Sequence, residues 1–200
     1  STSHEEKKSE DGEDSITFTE EGLSVYLSWR TKMVRWCYSI AKSCNYQKVT
    51  VEITMSILDR YVAVKQSETV LLDALQYQLS CMACMYTASK VHEQQCLTPQ
   101  HMEHLSGGRF THQKIQDMEY QILTAIQWRV NPPTAIAFVR RLLELSLPES
   151  HNLPDNQKTL LEVVETQIEL ALADELFIPV KASSLALSAL MNAVQSVLLQ

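Results

Sequence analysis

The chain has 200 residues, 45% of them apolar, with only four glycines and six prolines. That is enough chain to bury a core and too few turn formers for a sandwich or barrel, so composition points to helices. The net charge of −7 is concentrated at the start, where residues 1–21 carry eight acids against Lys7 and Lys8, and the remaining 16 acids and 15 bases leave a body of −1. A near-neutral body without a basic run argues against nucleic acid as a partner, because phosphate neutralisation needs clustered Lys and Arg. An apolar run of 18 residues without polar breaks is absent, which argues against a membrane role. Five cysteines, an odd count, read as small core residues in a reducing compartment, nucleus or cytoplasm.

Residues 1–21 read as a solvated acidic tail, since almost nothing apolar precedes Ile16. A first helix is expected over about Glu21–Cys44, where Leu23, Tyr26, Leu27, Met33, Trp36 and Ile40 recur at helical spacing. A second is expected over Lys48–Val64, with Val51, Ile53, Ile57, Leu58 and Tyr61 inward. A third, over Glu68–His92, differs in kind: from Ala74 to Ser89 it is apolar or small almost all round, as a helix surrounded by neighbours must be. Thr98-Pro99 caps a short fourth helix that Gly107-Gly108 ends, and Thr111 caps a fifth running to about Gln127.

Asn131-Pro132-Pro133-Thr134 is the clearest punctuation in the chain, and a domain boundary is expected there, separating residues 22–131 from 132–200. Amphipathic helices are expected over Ala135–Leu145 and Lys158–Ala173. A third, started by Ile178-Pro179, is small and apolar nearly all round from Ala182 to Val194. Two amphipathic helices followed by a central one thus occur twice.

Catalytic and metal signals are weak. His92, Cys96, His101, His104 and His112 are close in sequence but spread over helix ends and a loop, whereas zinc needs four ligands converging on one point. Cys81-x-x-Cys84 lies inside the apolar helix, where two thiols read as core. Phosphate-loop and nucleophile motifs are absent, so neither metal, cofactor nor enzymatic activity is expected.

Residues 29–134 resemble the cyclin box through several fragments in order. Trp29-Arg30 through Trp36 is similar to the family's Met-Arg-x-x-Leu-Val-x-Trp opening, and Ile57-Leu58-Asp59-Arg60-Tyr61 to its hydrophobic-Asp-Arg-Phe stretch. Tyr77-Gln78-Leu79 and Ala88-Ser89-Lys90 sit where the family has Leu-Gln-Leu and Ala-Ser-Lys. Asp117-Met118-Glu119 resembles its Met-Glu, and Trp128-Arg129-Val130-Asn131-Pro132-Pro133-Thr134 its Trp-x-Leu-x-x-Pro-Thr linker. The segment after Asp59 is longer than in mitotic cyclins, and His92 stands where many members have Glu. The likeness thins after Thr134. The resemblance implies an all-α fold of two tandem cyclin-box domains, the second incomplete or truncated.

It also implies a non-catalytic regulatory subunit that binds and activates a cyclin-dependent protein kinase in cell-cycle control. Lys90 and Glu119 are then expected to reach main-chain groups of the kinase αC helix, with Thr87, Val91, Leu123, Trp128 and Val130 as the apolar contact around them. Arg30 and Asp59 resemble the ion pair that ties the first box helix to the second. Met33, Trp36, Ser39 and Gln78 fall where cyclins build a docking groove for basic-x-Leu peptides, with Ser39 in place of an acid and Lys32 in place of an aliphatic wall. A cyclin-fold transcription factor that bridges promoter DNA and polymerase, or an adaptor that activates no kinase, is the alternative.

Overall fold

The computed structural model describes residues 20–67, 73–145 and 155–198, and among them every regular element is helical. In chain order these are α1 (Glu20–Ser43), α2 (Lys48–Ser67), α3 (Ala74–His92), α4 (Pro99–Leu105), α5 (His112–Ala125), α6 (Ala135–Leu145), α7 (Asp155–Ala173) and α8 (Ala182–Leu198), with a 3₁₀ turn at Glu175–Phe177 before α8. Residues 1–19 of the acidic tail lie outside the described residues.

Local chemistry sets the helix starts. Asp73, Thr98 and Thr111 each adopt extended backbone, and each side chain accepts the N–H three residues on. The Asp73 cap starts α3 at Ala74, later than the apolar pattern suggests, because a side-chain acceptor placed there satisfies the orphan N–H of Gln76 at 2.7 Å. The last helix likewise starts at Ala182 rather than at Ile178-Pro179, after the 3₁₀ turn capped by Asp174.

Two apolar clusters form. The larger gathers the inner faces of α1, α2, α4 and α5 around α3, whose residues from Ser80 to Ser89 are all buried. The smaller joins Ile136, Val139 and Leu143 of α6 to Val164 and Ile168 of α7 and to Ala186, Ala189 and Ala193 of α8. Here α8 departs from the expectation of a second central helix. Its alanines face inward, but Leu187, Met191 and Val194 stand exposed along one stripe, 52% and 63% for the first two.

Polar contacts cross between the clusters. Arg30 of α1 donates to the carbonyl of Leu172 at 2.6 Å, and the Thr31 hydroxyl, 3.1 Å from the Leu27 carbonyl of its own helix, lies 3.3 Å from that of Ala173. Glu52 of α2 accepts the N–H groups of Ala135 and Ile136 at 2.7 and 3.3 Å, placing a carboxylate at the positive end of α6.

Candidate functional site

The best-organised polar corner on the larger cluster lies where the end of α3 meets the middle of α5. Lys90 sits in the last turn of α3 and Glu119 lies midway along α5. The Lys90 ammonium is 2.6 and 2.7 Å from the two Glu119 carboxylate oxygens and lies 4.2 Å from the Tyr86 ring centroid. Thr87, one turn earlier on α3, is fully buried and its hydroxyl is 2.7 Å from Glu119 Oε1 and 3.0 Å from the Ala83 carbonyl. A hydroxyl carries one proton, and the carboxylate is the stronger acceptor, so Thr87 serves to position Glu119. The ammonium end remains partly in water while the carboxylate is nearly enclosed. An enclosed acid held by two donors on one side is rigid, and the lysine above it keeps a face for another acceptor.

The other expected contact residues divide by burial. Val91, 48% exposed, and Trp128, 62% exposed, present apolar surface, and Val130 is half-buried against the larger core. Leu123, like Thr87, is buried rather than presented at the surface. Trp128 owes its exposure to backbone geometry: Gln127 and Trp128 both take left-handed conformations, with φ of 55° and 59°. Such a pair normally calls for Gly or Asn, so the sequence carries no signal for it. The Trp128 N–H closes the end of α5 on the Leu123 carbonyl at 2.8 Å, and the indole turns outward.

Between α1 and α2, Arg30 and Asp59 form a two-pronged pair, Nε to Oδ1 at 3.0 Å and Nη2 to Oδ2 at 2.9 Å, with Arg30 almost wholly buried. The third prong, to Leu172, ties the pair to the end of α7, a role the short motif did not reveal.

The α1–α3 seam holds the residues of the expected docking groove. Met33 is buried, Trp36 and Gln78 are half-buried, and Ser39 is exposed. Gln78 Oε1 accepts a hydrogen bond from Arg109 at 2.8 Å, a residue the sequence reading passed over. Lys32, Arg35 and Lys42 share the exposed face of α1 with Trp36 and Ser39 and carry no ion pair among the described residues. This surface is therefore more positive than one built to receive a basic peptide.

Glu52 was also not singled out from sequence. Burial pushes its carboxyl up to about 7, against the opposing pull of the Ala135 and Ile136 N–H groups. Of the cysteines, Cys37, Cys81 and Cys84 are buried, with the first two sulfurs 3.7 Å apart, and that contact, together with burial, holds the Cys81 thiol well above its ordinary range. His112 is engaged by Glu103 at 3.0 Å, and among the described residues no three His, Cys, Asp or Glu side chains gather as metal ligands.

Among the described residues the body is all-helical, its larger cluster surrounds one central helix, and a Lys–Glu corner lies at the edge of that cluster. The family model for the cyclin N-terminal domain matches residues 2–131, and the chain belongs to the cyclin family. It is 28% identical over 121 residues to a G2/mitotic-specific cyclin-2 of Antirrhinum majus, covering 60% of this chain and 26% of that protein. It is 24% identical over 144 residues to a G1/S-specific cyclin-D of Caenorhabditis elegans, covering 71% of this chain and 34% of that one. The chain spans 25% to 45% of the length of the G2/mitotic-specific cyclins it resembles. In fold it is similar to a viral cyclin from herpesvirus saimiri, with a TM-score of 0.70 at 23% identity, over 85% of this chain and 70% of that one.

Proposed function

We propose that this chain is a non-catalytic regulatory subunit that binds a cyclin-dependent protein kinase through the Lys90/Glu119 corner and activates it, in cell-cycle control, in the nucleus or cytoplasm. The observation that carries the reading is the preorganised corner: Glu119 is locked by Thr87 and Lys90, while Lys90 stays partly open beside exposed Val91. A kinase helix laid across this corner offers main-chain carbonyls to the ammonium and apolar side chains to Val91 and Trp128. Holding that helix inward would keep its Glu paired with the Lys that orders the ATP phosphates, which is a conformational route to activation rather than a chemical one. The smaller cluster, on this reading, is the start of a second box of the same kind.

The test is stimulation of candidate kinases by the protein and by its Lys90→Ala, Glu119→Ala and Lys114→Ala variants, with circular dichroism of each. Truncating a charge-assisted contact at an interface costs about 2–5 kcal/mol, so at least about a tenfold loss of kinase affinity is expected for Lys90→Ala. Lys114, exposed on α5, serves as control. Binding and stimulation by Lys90→Ala equal to the control would refute the assignment. Glu119→Ala is a weaker probe, because the carboxylate is nearly buried and its loss disturbs Thr87 as well.

A further inference from the structure

A cleft of about 940 Å³ runs between the two clusters, floored by the linker after α5 and walled by α2, the end of α7 and the start of α8. We propose that it is a docking site for a linear segment of a partner protein that combines acidic with aromatic or aliphatic residues. The apolar part of the argument rests on Phe138, Phe177, Ile178 and Val180, which line the cleft and are all exposed. Large apolar side chains concentrated in one concavity are what interface anchors pack against. Their exposure also makes the cleft open rather than enclosing, whereas a small ligand needs most of its own surface covered, so a length of chain laid along it is the fitting occupant.

The charge argument is independent. Two acids line the cleft, and both are used up within the fold: each oxygen of Asp59 is held by Arg30, and each oxygen of Glu52 by an N–H of α6. Of the cations in the lining, Arg30 is likewise spent on Asp59 and Leu172, and the other three pair with no acid among the described residues. Arg129 and Lys181 are exposed and carry no ion pair among the described residues. Arg60 donates to the carbonyls of Ser56 and Arg129, but its Nη2 is shut off from water with no acceptor. The cleft is thus an apolar surface with unspent positive charge, which selects an acidic and apolar chain.

The test uses the full chain and two fluorescein-labelled hexapeptides, Glu-Asp-Phe-Glu-Leu-Asp and the same peptide with Lys at every acidic position, read by fluorescence anisotropy. The acidic peptide is expected to bind at least about tenfold more tightly than the basic one, with affinity falling as salt is raised. Combined Lys181→Glu and Arg129→Glu should reverse that preference, and Phe177→Ala should weaken the acidic peptide several-fold, with circular dichroism unchanged in each. Lys181→Glu alone should leave kinase binding as it was, since Lys181 is not among the proposed kinase contacts. Equal binding of the two peptides, or a preference that survives the double reversal, would overturn the proposal. Two other results would overturn the choice of occupant. Binding seen only after the acids of residues 1–19 are changed to amides would place this chain's own tail in the cleft. Self-association abolished by Phe177→Ala would place a second copy there.

Discussion

The two helices richest in small and apolar residues, α3 and α8, read alike in sequence and end in different surroundings. Helix α3 packs against α1, α2, α4 and α5, and from Ser80 to Ser89 every residue on it is buried. Helix α8 has α6 and α7 as its main neighbours, so alanines fill the close approach while Leu187, Met191 and Val194 face outward. The comparison teaches that apolar composition states how much surface a helix offers for burial, and the number of neighbours decides how much is taken.

The sharpest way to break the comparison is at the joint between the two regions. Arg30→Ala leaves Asp59 partly buried without its cation and the Leu172 carbonyl without a donor, and should destabilise the fold by about 3–5 kcal/mol, seen as a lower urea midpoint. Within the two helices, Met82→Ala in α3 should cost about 2–5 kcal/mol by opening a cavity. Met191→Ala in α8 should stay within about 0.5 kcal/mol, since that side chain is already largely in water. Similar losses for the two would mean that α8 is as enclosed as α3.

The second joint gives a pH test. Glu52 has its carboxyl raised to about 7 from the ordinary 4.5, so between those values the folded chain holds a proton that the unfolded chain releases. The contribution of this group to stability is therefore full below about pH 4.5 and lost as pH rises through about 7. The loss is on the order of 3 kcal/mol across that window. Urea unfolding of the parent chain and of Glu52→Gln at several pH values should show the downward slope in the parent and a flatter line in the variant. Parallel lines would contradict the assignment.

The smallest expected effect concerns the α1–α3 seam. With Lys32, Arg35 and Arg109 nearby and Ser39 where an acid would sit, a basic-x-Leu peptide should bind weakly. Ser39→Glu should tighten it by no more than about 1 kcal/mol, because the pair it creates is exposed. Isothermal titration with the parent and the variant distinguishes this from a groove indifferent to position 39.

Much of the plan was legible in the amino-acid order because it is local. Thr98 and Thr111 are cap residues whose chemistry acts within three positions, and Asn131-Pro132-Pro133 breaks a helix wherever it occurs, whereas the Asp73 cap lay unmarked inside the stretch expected to be helical. The enclosure of α3 was readable for the same reason, since a helix without a polar face has nowhere else to go. The Arg30–Asp59 pair was expected from the resemblance, and the other polar pairings were decided by tertiary structure. It turned Glu119 inward onto Thr87 and Lys90, carried Arg30 across to Leu172, and set Glu52 against the start of α6, pairs separated by 29 to 142 positions. It also left Trp128 in a left-handed turn that no glycine announced. Periodicity and capping are properties of a single segment, whereas the burial of a charge and the exposure of an apolar face depend on what other segments bring to the same place.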